Sequence, residues 1–102
     1  CDTYAVMGPC FVTADEIGAD EIGAPTAIPL ETRVNGEIRQ QGDTGQLIRS
    51  IAELIVMASA FYTLHPGDLI MTGTPAGVGP LAPGDIVDVS SPLIGNLRVE
   101  VS

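Results

Sequence analysis

Residues 64–85, LHPGDLIMTGTPAGVGPLAPGD, contain the tripeptide Pro-Gly-Asp twice, with the glycine-rich run TGTPAGVG between the two copies. A Pro-Gly pair fits the two central positions of a type II turn, because proline presets the first φ and glycine accepts the positive φ of the second. Each copy therefore predicts a turn that leads into a short buried strand, one over residues 69–71 and one over residues 86–87. The glycine-rich run follows the first strand, in the kind of loop that commonly holds functional residues.

The sequence on either side predicts more strands. In residues 30–40, LETRVNGEIRQ, the central Asn35-Gly36 pair indicates a hairpin. Val34 and Ile38 fall on opposite faces of this ribbon, which indicates that it projects or pairs outside the segment. Residues 96–101, NLRVEV, alternate apolar and polar side chains, as a half-buried strand does, with Leu97, Val99 and Val101 facing inward.

One main helix is predicted from Asp43 to Phe61. Asp43 caps its start and Gln46 reaches back from three residues on, in a capping-box pattern. The apolar residues at helical spacing on one face are Leu47, Ile48, Ile51, Leu54, Ile55 and Ala58. The order of strands, one helix and further strands indicates an α+β fold that is mainly antiparallel sheet.

Composition excludes several classes of partner. The 102 residues are enough for one small domain. The chain has thirteen acidic residues, four arginines and no lysine, which gives a net charge of −9. Binding to nucleic acids or anionic membranes requires clustered cations, so neither is an expected partner. No run is long and apolar enough to span a membrane. The opening CDTYAVMGPC has neither a basic stretch nor an initiating Met, so we expect no signal peptide and a sequence that starts within a longer one.

Isolated reactive residues do not form a catalytic or metal-binding motif. Cys1 and Cys10 lack CxxC spacing, so we expect free thiols in a reducing cytoplasm. His65 is the only histidine, and its place before a turn favours a polar surface residue. The acids of residues 14–24, ADEIGADEIGA, do not follow the spacing of a calcium loop and are expected to form a solvated surface.

The glycine-rich run, residues 72–79, is called the TGTP loop below. It does not match a phosphate-binding loop, because the chain lacks the lysine that such a loop requires. Its glycines allow the backbone to approach a ligand closely, and the hydroxyls of Thr72 and Thr74 suit a carboxylate or enolate oxygen. From the spacing alone, a tight bend that binds no ligand is slightly favoured over a ligand-binding loop.

Several motifs together resemble a known family. Residues 34–44, VNGEIRQQGDT, and residues 64–85 resemble the carboxyl-terminal half of the fumarylacetoacetate hydrolase (FAH) family, in which VNGE, GDT or GNT, L-x-PGD and TGTP-x-GVG occur in this order. The opening CDTYAVMGP resembles a segment that follows a lysine by two residues in the family. The resemblance implies the FAH-type fold of rolled mixed β-sheet, with residues 1–102 as the carboxyl-terminal part of a single catalytic domain.

The resemblance also implies an activity. It indicates a metal-dependent enzyme, with Mg²⁺ or Mn²⁺, that acts on small 2-oxo or 1,3-dicarbonyl acids in aromatic compound catabolism, usually as a homodimer. In hydrolytic members a His-Glu pair activates water to cleave a carbon-carbon bond of an acylpyruvate or a fumarylacetoacetate-like substrate. Isomerase, hydratase and decarboxylase activities within the family stay open, as does a catalytically inert folding or interaction module.

The family's catalytic positions fall mostly outside this sequence. Its metal ligands are a Glu-x-Glu pair and a later Asp, and no Glu-x-Glu occurs here. The ligands, the lysine and the His-Glu pair are all expected upstream, so no metal ligand is assigned here and the isolated segment is expected to be inactive. Neither Glu53 nor His65 takes over those roles.

Four residues match family positions near the substrate. Thr74 matches the position whose hydroxyl and amide meet the substrate, and Gly73 beside it keeps the backbone close. Asp2 and Thr3 match positions that flank the site after the lysine. Thr3 corresponds to a residue that in some members helps to hold a structural cation or the loop of the lysine.

Overall fold

The structure, a computed structural model, describes residues 5–18 and 27–102. Its strands form one four-stranded antiparallel sheet in the order β2-β1-β3-β4. The elements in chain order are α1 (Ala14–Ile17), β1 (Pro29–Val34), β2 (Glu37–Asp43), a 3-10 turn (Thr44–Gln46), α2 (Ile51–Phe61), β3 (Ile86–Ser91) and β4 (Gly95–Glu100). The predicted α+β class, with antiparallel strands and one main helix, is confirmed.

The Asn35-Gly36 turn joins β1 to β2 and also anchors the hairpin to β3. Both residues have positive φ, 52° and 85°, as a type I′ turn requires. The backbone N–H of Asn35 donates to the carbonyl of Ile86 (2.8 Å), and its side-chain oxygen accepts from the Ile86 N–H (2.9 Å). Because β1 pairs with β3 over residues 31–34, the expectation that the hairpin projects is wrong, whereas pairing of the edge strand β2 outside the segment stays a prediction.

The sheet has one apolar and one charged face. On the charged face Arg33 pairs with Glu31 and Arg98 with Asp88, and the Arg98 guanidinium lowers the pKa of the Asp88 carboxyl. On the apolar face Val34 is buried, and the half-buried side chains of the paired strands are Val87, Val89, Leu97 and Val99. The predicted inward alternation of residues 97, 99 and 101 is therefore confirmed.

A β-bulge in β2 changes which side chains share a face. Thr32 pairs with Gln40, but the next residue, Arg33, pairs with Ile38, so Arg39 is the extra residue on β2. The bulge places Gln40 on the same face as Thr32. Uninterrupted alternation from the turn would have placed Gln40 on the opposite face.

The main helix, α2, begins at Ile51, so the prediction that it starts at Asp43 is wrong. The hydroxyl of Ser50 accepts from the Glu53 N–H (3.2 Å), and the Glu53 carboxylate accepts from the Ser50 N–H (2.7 Å), which is a complete capping box. The predicted box of Asp43 and Gln46 is present, but it caps the 3-10 turn. Leu47, the residue after that turn, is extended, with ψ of 138°.

The covered stripe of α2 is shorter than predicted. Ile51, Leu54, Ile55 and Ala58 are half-buried, as expected for one helix face. Ile48 precedes the helix and is fully exposed. Among the described residues, no helix has both the length and the apolar character needed to cross a membrane.

Both Pro-Gly-Asp copies form the predicted turns, but only the second leads into a strand. Gly67 and Gly84 have φ of 94° and 90°. The N–H groups of Asp68 and Asp85 each donate, at 3.0 Å, to the carbonyl three residues earlier. Residues 86–91 form β3, which lies between two strands, whereas residues 69–71 have no strand partner in the described part of the chain. The strand predicted at residues 69–71 is therefore wrong.

Asp85 links the second turn to the hairpin and makes stability depend on pH. Its carboxylate accepts from the Ala82 N–H and from the Asn35 amide, both at 2.8 Å, and these bonds lower the pKa of Asp85. A group whose pKa is lower in the folded state stabilises the fold above its unfolded pKa of about 4, and that stability is lost as the pH falls through the folded pKa. We therefore expect the free energy of unfolding to fall below about pH 4.

Asp85→Asn tests this link in the full-length protein, because the amide of the variant offers one oxygen where the carboxylate offered two. We expect lower stability at neutral pH and a weaker acid dependence in denaturant unfolding. Asp68→Asn is the matched control, since the Asp68 carboxylate accepts from the His65 N–H (2.8 Å) and from no second residue of the described chain. Equal losses in both variants, with unchanged acid dependence, would contradict the role of Asp85.

Candidate functional site

The TGTP loop lies against the bulge of β2. Gly77 has φ of 109°, and a Cβ there would overlap the backbone oxygen of Arg39 and lie 3.2 Å from Cγ of Gln40. Farther along β2, a Cβ on Gly42 would lie 3.6 Å from Cβ of Pro75. Glycine is therefore needed at position 77 both for its backbone conformation and for the space it leaves.

The side chain of Gln40 joins the loop to the sheet. Its Nε2 donates to Oγ1 of Thr74 (2.7 Å) and to the carbonyl oxygen of Pro75 (2.9 Å). Gln40 is half-buried between β2 and the loop. One amide thus fixes both the side chain of Thr74 and the backbone that follows it.

A cleft of about 630 Å³ opens between the hairpin, the segment that precedes α2 and the TGTP loop. Its polar and charged side chains come from Asp43, Thr44, Gln46, Arg49, Thr72 and Thr74. The remaining wall is formed by Leu30, Gly42, Leu47, Ile48, Leu54, Gly73, Pro75 and Ala76. This arrangement, an open cleft with a mainly apolar wall and a few polar groups, can accept a small molecule.

The two residues predicted to bind substrate, Thr74 and Gly73, both line this cleft. Asp2 and Thr3 lie outside the described residues. Neither His65 nor Glu53 lines the cleft. The Ser50 N–H and hydroxyl, with a smaller contribution from the Arg49 charge, lower the pKa of Glu53, so this carboxylate acts as an ionised helix cap.

Arg49 brings positive charge to the cleft. In the described part of the chain, the ion pairs are those of Arg33 with Glu31 and Arg98 with Asp88, and Arg49 is in neither. An arginine donor suits the planar oxygens of a carboxylate. Together with the threonine hydroxyls, it makes the cleft suitable for a small organic acid.

The described residues do not fit a metal site. Within residues 5–18 and 27–102, no three His, Cys, Asp or Glu side chains converge in a way that could hold a metal ion. Asp43 is the carboxylate among the cleft residues, and it accepts from the Gly45 N–H (2.7 Å). A divalent cation such as Mg²⁺ requires several oxygen ligands in one place.

A family model described as fumarylacetoacetate (FAA) hydrolase C-terminal matches residues 1–102. The chain belongs to the fumarylacetoacetate hydrolase family. The resemblance drawn from VNGE, L-x-PGD and TGTP is thereby confirmed. Similarity to solved structures, with a TM-score of 0.83 for one of them, confirms the FAH-type fold.

Similar proteins include hydrolases and an isomerase. Maleylpyruvate hydrolase from Aquipseudomonas alcaligenes is 44% identical over 100 residues, which cover 98% of this chain and 33% of that protein. The crystal structure of maleylpyruvate hydrolase from Sphingobium sp. SYK-6, in complex with manganese (II) ion and pyruvate, has a TM-score of 0.83 and 38% identity. It matches 92% of this chain and 34% of its own.

A 5-carboxymethyl-2-hydroxymuconate delta-isomerase from Mycobacterium smegmatis has a TM-score of 0.73 and 45% identity, over 76% of this chain and 31% of its own. The chain therefore spans about a third of the length of the family members that it matches.

Two residues of the site, Gln40 and Arg49, were not identified from the sequence. Strand alternation from the Asn35-Gly36 turn places Gln40 on the wrong face, and only the bulge at Arg39 corrects this. Arg49 was counted within the predicted helix, whereas it lies before the first residue of α2. Counting from the Ser50 and Glu53 capping box would have placed Arg49 outside the helix.

Gly77→Ala should destabilise the full-length protein, because the added Cβ overlaps the Arg39 carbonyl in a backbone conformation that alanine rarely adopts. We expect a loss of stability on the order of 1–3 kcal/mol in denaturant unfolding. Gly79→Ala is the matched control, since its Cβ would lie 3.4 Å from Nη1 of Arg39, the far end of a flexible side chain. If both variants lose equal stability, the contact between the loop and β2 does not determine the effect.

Proposed function

We propose that the full-length protein is a metal-dependent enzyme that hydrolyses a carbon-carbon bond of a small 2-oxo acid, with an acylpyruvate such as maleylpyruvate as the substrate class. The observation that supports this most is the position of Thr74 and Gly73 in the wall of a cleft that also contains Arg49. Two maleylpyruvate hydrolases among the similar proteins support the substrate class.

Each cleft residue takes a defined part in binding. The Thr74 hydroxyl donates a hydrogen bond to an oxygen of the oxo acid, and this bond strengthens as negative charge develops there. Gly73, with φ of 99°, allows the backbone to turn next to the substrate. Arg49 binds a carboxylate, and apolar residues such as Leu30 and Leu54 contact the carbon chain.

The divalent metal, Mg²⁺ or Mn²⁺, belongs to the full-length protein in this proposal. The similar hydrolase that contains manganese is about three times as long as this chain, and the described residues offer no ligand cluster. We therefore assign the metal ligands, the lysine and the His-Glu pair to the rest of the polypeptide. Asp2 and Thr3 are proposed to flank the site, and the enzyme is proposed to be a cytoplasmic homodimer.

Isomerisation of an unsaturated dicarboxylic acid is the second candidate. The similarity to the 5-carboxymethyl-2-hydroxymuconate delta-isomerase favours it, at 45% identity. The donors of Thr74 and Arg49 would bind the oxygens of either substrate. Product analysis separates the two reactions, because hydrolysis of maleylpyruvate releases pyruvate whereas isomerisation leaves the number of carbon atoms unchanged. Full-length protein with Mn²⁺ that does neither would contradict the proposal.

Thr74→Val should lower turnover far more than it lowers stability. The variant nearly keeps the shape but loses the donor, which is worth roughly 2–4 kcal/mol in the transition state, or about 30- to 1000-fold in kcat. The free energy of unfolding should fall by only about 1 kcal/mol, because Gln40 loses one hydrogen-bond acceptor. Steady-state kinetics on maleylpyruvate and thermal unfolding of the full-length protein measure the two effects.

Thr63→Val is the control for this variant, because Thr63 is exposed and lies outside the cleft. It should leave both kcat and the unfolding midpoint unchanged. If Thr74→Val unfolds early but keeps full turnover per folded molecule, the TGTP loop is a structural bend and Thr74 has no part in binding.

A further inference from the structure

We infer that Gln40 is a positioning residue, which holds the Thr74 hydroxyl so that its proton points toward the ligand. The inference deepens the proposed function and rests on it for the identity of the reaction. It depends on the contacts of one amide group with Thr74 and Pro75.

The carbonyl of Pro75 determines which way the Gln40 amide is turned. One end of that amide lies 2.7 Å from Oγ1 of Thr74 and 2.9 Å from the oxygen of Pro75. Proline's carbonyl can only accept a hydrogen bond. If the amide were reversed, its oxygen would face the Pro75 oxygen with no hydrogen between them. The end in contact with both partners must therefore be the NH₂ group, which has one hydrogen for each of them.

This orientation fixes the role of the Thr74 hydroxyl. A threonine hydroxyl has one hydrogen to donate and two lone pairs to accept. Because Gln40 donates to Oγ1, the hydroxyl hydrogen cannot point toward Gln40. Among the described residues, Oγ1 of Thr74 has no acceptor for that hydrogen. Thr74 lines the cleft and Gln40 does not, so Gln40 contacts Thr74 from outside the cleft wall.

Packing holds Gln40 in place for this task. The bulge at Arg39 puts Gln40 on the face of β2 that the TGTP loop covers, and Gly77 leaves room for the Gln40 side chain. A half-buried side chain with both amide hydrogens bound has little rotational freedom left to lose when a ligand arrives. Gln41, the next residue, lies on the opposite face and is exposed.

The arrangement also defines the ligand chemistry at this point of the cleft. An outward hydroxyl hydrogen and the guanidinium of Arg49 are both donors. A carboxylate, carbonyl or enolate oxygen accepts from both donors. This part of the cleft therefore suits the oxygens of an oxo acid.

A double-mutant cycle on the full-length protein with Mn²⁺ tests the inference, with kcat on maleylpyruvate as the readout. Gln40→Leu removes both donors and should lower kcat about 10- to 100-fold, with a smaller change in KM. In the Thr74→Val background the same change should have almost no further effect, because Gln40 acts through the hydroxyl that is already absent. Gln41→Leu, the matched control, should leave kcat unchanged.

Gln40→Glu separates positioning from packing. Its carboxylate nearly preserves the shape but accepts from Thr74, which turns the hydroxyl hydrogen away from the cleft. We expect kcat below that of Gln40→Leu, whereas the unfolding midpoint of the glutamate variant should not fall below that of Gln40→Leu. Wild-type kcat in Gln40→Glu would overturn the inference. It would also be overturned if Gln40→Leu lowered kcat by the same factor in the wild-type and Thr74→Val backgrounds.

Pyruvate affinity, measured by calorimetry on the same four proteins of the cycle, keeps this test independent of turnover. If the wild type binds pyruvate but converts none of the acids, the proposed function fails and the affinity cycle decides the role of Gln40. A loss of affinity in Gln40→Leu that disappears in the Thr74→Val background would support the inference. If the wild type neither binds pyruvate nor turns over maleylpyruvate, both the function and the inference are wrong.

Discussion

The contact between the Gln40 amide and the TGTP loop determines the geometry of the candidate site. Two hydrogen bonds from one side chain hold both Thr74 and the carbonyl of Pro75, so the loop cannot move away from β2 without breaking both. The absence of a side chain at Gly77 allows this approach. A loop of small residues is thereby positioned by a sheet that is itself held by backbone pairing.

Local interactions made much of the fold predictable from the sequence. The Asn35-Gly36 turn, the two Pro-Gly-Asp turns and the alternation of β4 each depend on a few adjacent residues. The start of α2 was less predictable, because two capping boxes follow each other and a sequence does not show which one begins the longer helix. The strand proposed at residues 69–71 failed for another reason, since a strand requires a partner that hydrophobicity alone does not provide.

The candidate site was predictable only in part. Gly73 and Thr74 were identified through family motifs, and the structure places both in the cleft wall. The part played by Gln40 depends on the bulge at Arg39, which reverses the face of every later residue on β2 and has no signature in the alternation of side chains. A side chain that contacts a loop distant in the sequence can be recognised as part of a site only once the fold is known.

A crystal structure of the full-length protein with Mn²⁺ and pyruvate tests the central claim most directly. The account predicts a pyruvate oxygen at about 2.6–3.2 Å from Oγ1 of Thr74, with the Gln40 amide still on Thr74 and Pro75 from the opposite side. Pyruvate bound with all its oxygens beyond about 4 Å from that hydroxyl would contradict it. So would a Gln40 side chain that has left Thr74 in the complex.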